Sequence, residues 1–252
     1  MSLPLPLLDL VALVFLLGGL PIASLAQLRF VDGIEIQRVP AYLGSVATLV
    51  VLGVGTWFVG AREDGASALG LGPVPVGPVV AAAAALVLSG LVLAAAFRQC
   101  AILLGVGESP VLRALMPRTA RERGLFAVLS LAAGVSEEMA FRGYALTTLA
   151  WVTGTGWAAV ATSVIFGVLH AYQGWLGVVR SAAMGGLLAW GYLATGSLWA
   201  PMVAHVILDL LLGIVLAERL MVPESHSGVP NPVDDEDASP KGRHGSGSGS
   251  AR

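Results

Sequence analysis

Long apolar runs, separated by short polar breaks, make up most of this chain. The first, Leu7 to Leu20, is interrupted only by Asp9. About 20 apolar residues cross a bilayer as a helix. On that measure the pattern predicts seven spans, near 6–27, 41–60, 76–97, 124–150, 157–173, 176–194 and 198–217. The stretch from Cys100 to Val106 could hide an eighth, but it is too short to cross by itself. The predicted fold class is all-α: a polytopic transmembrane helical bundle of seven to eight spans. Ser24-Leu25-Ala26 looks like a cleavage site after the first run. No Lys or Arg precedes that run, however, and a signal peptide wants a basic start, so a retained span is expected. Asp9 lies near an interface and is expected to be solvated.

The polar breaks set orientation. Residues 98–123 carry Arg98, Arg113, Arg118, Arg121 and Arg123. The positive-inside rule puts this loop in the cytoplasm, with the N-terminus outside and the C-terminus inside. Residues 108–123 read either as a short amphipathic interfacial helix or as a solvated basic loop. After Met221 the chain turns to Pro, Gly, Ser, Asp and Glu, a composition that cannot form a core. Three regions result: N-terminal transmembrane helices over 1–107, a core with polar motifs over 108–221, and a disordered tail over 222–252. His226 and His244 belong to the tail and are expected to be inert. There is no internal repeat.

Composition narrows the class. Of 252 residues, 56% are hydrophobic and 12% charged. A soluble domain carries roughly a quarter charged residues, so the chain is expected to be an integral, multi-pass membrane protein with the lipid bilayer as its solvent. A net charge of −2 offers no basic face for phosphates and argues against nucleic acid. Cys100 is the only cysteine, which leaves no disulfide framework and no thiolate metal cage.

Against this background the polar residues inside spans stand out. Glu137 and Glu138 lie side by side in apolar sequence, with Arg142 one turn on. His170 ends the run Phe166-Gly167-Val168-Leu169-His170, and His205 and Asp209 lie four apart in the last span. Residues four apart share a helix face, so Glu138 projects with Arg142 and His205 with Asp209. Glu137 points about 100° from Glu138, which suggests different jobs. At about 1.5 Å rise per residue, Glu137 and His170 lie about 20 Å deep, Asp209 about 15 Å and His205 about 10 Å. An ionisable group at such depth costs several kcal/mol unless paired or hydrated, and marks a candidate site.

The set contains no evident nucleophile. Activated water is then the natural route: a carboxylate takes its proton, a histidine holds it or a metal acidifies it, and remaining donors stabilise an oxyanion. That combination suits peptide-bond hydrolysis. Blander readings stand beside it. Glu138–Arg142 could be a buried structural ion pair, and His205–Asp209 a hydrogen-bonded pair in which Asp209 fixes the tautomer. Arg180 is expected to snorkel or to meet a headgroup. Glu and His chains also relay protons in transporters, although those commonly show repeats.

The ordered trio Glu137-Glu138-x-x-x-Arg142, Phe166-x-x-x-His170 and His205-x-x-x-Asp209 resembles the motifs of the CPBP family. This family includes CAAX prenyl endopeptidases and bacterial bacteriocin-processing or abortive-infection (ABI) proteins. Phe141-Arg142-Gly143 and Gly196-Ser197-Leu198-Trp199-Ala200-Pro201 are similar to its wording around the first and third motifs. The resemblance covers about 108–217. It implies a glutamate-dependent intramembrane endopeptidase acting on a membrane-embedded or lipidated peptide or protein. Glu137 would be the general base, His170 the residue that positions water, and His205 with Asp209 the oxyanion-stabilising pair. Arg142 would hold Glu138. Many members carry Asn where Asp209 stands, and an ionised carboxylate would repel an oxyanion. Such proteins are often called metalloproteases; a zinc ion, if one binds, would use Glu137, His170 and His205. The loop charges and the Ala- and Gly-rich composition look like a bacterial member of the inner membrane. The other reading is a non-catalytic scaffold or bacteriocin-immunity-type binding protein of the same fold.

Overall fold

The computed structural model describes residues 5–31 and 36–220, so the tail 222–252 lies outside the described residues. Within them the chain is helical and contains no strand. Five helices are long and apolar enough to cross a membrane: α1 (Leu7–Arg29), α2 (Arg38–Gly60), α3 (Val76–Leu104), α5 (Ala120–Thr153) and α7 (Ala171–Thr195). The short α4 is Pro110–Leu115. Two shorter apolar helices are α6 (Thr155–Leu169) and α8 (Trp199–Val215). The described residues are thus all-helical, with five candidate membrane spans.

Local chemistry moves several boundaries. Cys100 belongs to no separate span. It lies in α3, which runs to Leu104 and stops at Gly105 (φ 63°), a left-handed position that glycine adopts without strain. Residues 108–123 are not one helix. Ser109 caps α4, accepting the Leu112 amide at 3.1 Å. Thr119 then starts α5 through a reciprocal pair: the Glu122 amide donates to Thr119 Oγ1 at 3.2 Å, and the Thr119 amide to Glu122 Oε2 at 2.9 Å. Such a capping box satisfies two otherwise orphaned donors. α5 closes at Gly154 (φ 83°), and α6 begins at the next residue.

α8 sits in the middle, packed against α3, α5 and α7, while α6 packs on α7 and α2 on α5. Close approach depends on small residues, since lipid supplies no hydrophobic drive between helices. A Cβ on Gly134 of α5 would stand 2.5 Å from Val206 Cγ2 of α8. One on Gly167 of α6 would stand 2.5 Å from the Val178 carbonyl of α7. Leu69 and Leu198 are fully buried at one end of the bundle, where the Leu198 amide donates to the Gly70 carbonyl at 2.9 Å.

α5 and α8 each change pitch next to a motif. Met139–Leu146 is a π-helical stretch that begins right after Glu138, and Leu211–Val215 is another that begins two residues after Asp209. Single π turns of this kind recur at functional sites.

Asp9 departs from its expected solvation. It is 5% exposed, accepts from the Tyr144 hydroxyl at 2.8 Å and pairs with Arg62. The partners are 135 and 53 residues away in sequence, and the apolar pattern around Asp9 carries no sign of either. The contact ties α1 to the π stretch of α5.

Candidate active site

Glu137 and Glu138 end the first α-helical stretch of α5, just before its π-helical stretch, and the helix turns them apart as their spacing requires. Glu138 faces inward and is fully buried. Its Oε1 accepts two hydrogen bonds, from Arg142 Nη1 at 2.9 Å and from His205 Nδ1 at 2.8 Å. Its Oε2 is buried without a partner among the described residues. Arg142 is also almost wholly enclosed. It donates to the Gly185 carbonyl of α7 at 3.1 Å and lies 4.4 Å over the Phe166 ring. A carboxylate and a guanidinium are tolerated at this depth because each meets the other and further partners besides.

His205 is fixed by this arrangement. A carboxylate oxygen only accepts, so Nδ1 carries the proton it donates to Glu138. The other nitrogen, Nε2, turns to a gap between two carboxylates. Glu137 Oε2 stands 3.8 Å from it and Asp209 Oδ2 3.9 Å. Both are beyond direct hydrogen-bond length. These two acids are the more open members of the cluster, with side chains 18% and 37% exposed against 0% for Glu138. The orienting bond to His205 therefore comes from Glu138, not from Asp209.

His170 does not lie within α6. It caps the end of the helix, with φ −96° and ψ 20°. Its Nδ1 donates to the Phe166 carbonyl at 2.8 Å, which leaves Nε2 as an acceptor. Phe166 joins the parts. Its ring centroid is 4.8 Å from that of His170 and 6.2 Å from that of His205, and Arg142 covers its face. Glu137, Glu138, Arg142, His205 and Asp209 thus form one contiguous cluster, with His170 joined to it through Phe166.

Sequence reasoning missed the Glu138–His205 bond, because nothing in the text of the chain pairs residues 67 apart. It also missed Phe166 as a hub, although its spacing of four before His170 was a usable signal. Arg180 does not reach for a headgroup. It donates to Glu108 Oε1 at 2.9 Å and to Gln173 Oε1 at 3.0 Å.

The residues considered for zinc do not form a donor set. Among the described residues no three His, Cys, Asp or Glu side chains converge in a way that could hold a metal ion.

Comparison with protein families gives a match over part of the chain. Residues 119–211 fit the family model described as Type II CAAX prenyl endopeptidase Rce1-like. No curated protein and no solved structure matches. Every member of the cluster lies inside the matched segment, which begins at the cap of α5 and ends two residues past Asp209. The chain is an integral membrane protein whose residues 119–211 form a domain similar to the Type II CAAX prenyl endopeptidase Rce1-like family.

Proposed function

We propose that the protein is an intramembrane endopeptidase in which Glu137 activates water against a peptide bond of a membrane-associated or lipidated substrate. The observation that carries this reading is the gap between Glu137 Oε2 and His205 Nε2, 3.8 Å wide and bounded on its other side by Asp209. A water seated beside these two atoms meets an acceptor on Glu137 and an imidazole held in place by Glu138.

Glu137 takes the proton as the water oxygen bonds to the carbonyl carbon, and returns it to the amine as the C–N bond breaks. His170 Nε2 accepts the second hydrogen of the water and orients it. His205, as an imidazolium paired with Glu138, donates from Nε2 to the carbonyl oxygen. Glu138 and Arg142 act through His205, fixing its ring plane, as the third member of a triad does. No step passes through a metal. The catalytic core is 108–221, and with α6 and α8 also crossing, the bundle has seven spans in a bacterial inner membrane.

The test is proteolysis by the purified protein in proteoliposomes, using a panel of prenylated, acylated and unmodified fluorogenic peptides. Wild type cleaves, while Glu137→Ala and His170→Ala do not. Equal cleavage by all three removes the mechanism. No cleavage by wild type, together with a cellular phenotype that survives Glu137→Ala, favours the scaffold reading.

A further inference from the structure

Asp209 poses a chemical problem for the peptidase reading. A carbonyl oxygen gains negative charge as water adds, and a carboxylate beside it supplies no donor. The turn after His170 holds a group that does. Tyr172 lies in the 3₁₀ turn Ala171–Gln173, two residues past the histidine. Its ring stands 6.0 Å from the His170 ring, tilted by 35°. Its hydroxyl oxygen accepts from Gln173 Nε2 at 3.2 Å. Its own proton has no acceptor among the described residues. Through His170 the phenol is linked to the cluster: the Phe166 ring lies 4.8 Å from the His170 ring and 6.2 Å from that of His205.

The phenol is also held from behind. Glu108, in the loop before α4, accepts from Arg180 at 2.9 Å, and Arg180 donates to Gln173 Oε1 at 3.0 Å. The carboxamide is thereby turned so that its amide group faces Tyr172. Ser109 Oγ donates to the Tyr172 carbonyl at 2.8 Å and anchors the turn itself. Four residues, Glu108 and Ser109 from a distant loop and Gln173 and Arg180 from α7, are spent on one tyrosine. The lone pair used by Gln173 leaves the O–H directed elsewhere. A surface tyrosine at a membrane boundary needs no such chain.

We propose that Tyr172 is a catalytic residue whose hydroxyl donates a hydrogen bond to the substrate carbonyl oxygen as the tetrahedral intermediate forms, with Glu108, Arg180 and Gln173 as positioning residues. The inference rests on the peptidase reading. Glu137 takes the proton from water, the new C–O bond pushes the carbonyl electron pair onto oxygen, and that oxygen is met by the Tyr172 O–H. The phenol keeps its proton throughout. When the C–N bond breaks, the pair returns and the amine leaves with the proton carried by Glu137.

The test uses the full chain in proteoliposomes with whichever peptide of the panel wild type cleaves fastest. Tyr172→Phe keeps the ring against His170 and removes only the donor. Its kcat falls on the order of 10²-fold, as for loss of one oxyanion donor, with KM unchanged. A phosphinic analogue of the same peptide, which presents a tetrahedral anion, loses affinity by a similar factor. Adding Asp209→Asn to Tyr172→Phe supplies an amide donor on the opposite side and recovers about tenfold or more of kcat. A Tyr172→Phe rate within twofold of wild type overturns the proposal. So does a loss confined to KM, or a double variant no faster than the single one. Failure of the peptidase reading itself looks different: wild type and Glu137→Gln then behave alike.

Discussion

Arg142→Met is the sharpest probe of the buried cluster. The substitution keeps most of the side-chain volume and removes the charge. Arg142 and Glu138 are 1% and 0% exposed, so neither has water to fall back on. Without the guanidinium, Glu138 keeps a single partner, His205, and its Oε2 remains unpaired. The Gly185 carbonyl loses its donor and Phe166 its covering cation. Breaking a buried pair by removing one member costs about 3–5 kcal/mol. At about 2–4 °C per kcal/mol for a chain of this size, the melting temperature falls by about 6–20 °C. Adding Glu138→Gln removes the stranded charge and still offers His205 Nδ1 an acceptor. The double variant is therefore more stable than the sum of the single losses by more than about 1 kcal/mol. The assay is tryptophan fluorescence melting in detergent micelles, with equilibrium SDS titration alongside. A shift below about 2 °C for Arg142→Met, or strict additivity in the double variant, refutes the argument.

Further outcomes follow from the packing. Asp9→Ala leaves Tyr144 and Arg62 without their acceptor and lowers stability by about 1–3 kcal/mol, whereas Asp64→Ala on the exposed loop leaves melting unchanged. Gly134→Ala drives a methyl into Val206 and the Met202 carbonyl, costs about 1–3 kcal/mol and separates α5 from α8, so cleavage falls as well. Gly44→Ala meets nothing within 4 Å and raises stability by about 0.5–1 kcal/mol, as alanine does in an open helix. Melting curves and cleavage rates of the pair check both signs.

Much of this architecture was legible because hydrocarbon permits few backbone solutions. An apolar run in lipid must be helical, since only a helix satisfies its own amides. Glu138–Arg142 and His205–Asp209 follow from a spacing of four on a helix. Other features were hidden for identifiable reasons. Asp9 reads as a boundary acid, because the tyrosine and arginine that bury it sit on other helices. The π stretch at Met139–Leu146 changes the angular phase of α5, and no residue type announces it. His170 reads as part of a span, yet it closes α6, because the 3₁₀ turn that follows has no proline or isolated polar run to mark it. That the two glutamates face different surroundings was foreseeable from their 100° separation. The partner that gives Glu138 its task, His205, was not, for long-range pairing leaves no local trace.

Comparative membrane proteomics decides whether Glu137 performs hydrolysis in this cluster. Cells expressing wild type are compared with cells expressing Glu137→Gln at equal protein level, and peptide termini are quantified. At least one membrane-associated precursor should accumulate uncut in the variant, with its new terminus present only in wild type. Identical terminus profiles, with both proteins folded and inserted, would contradict the account.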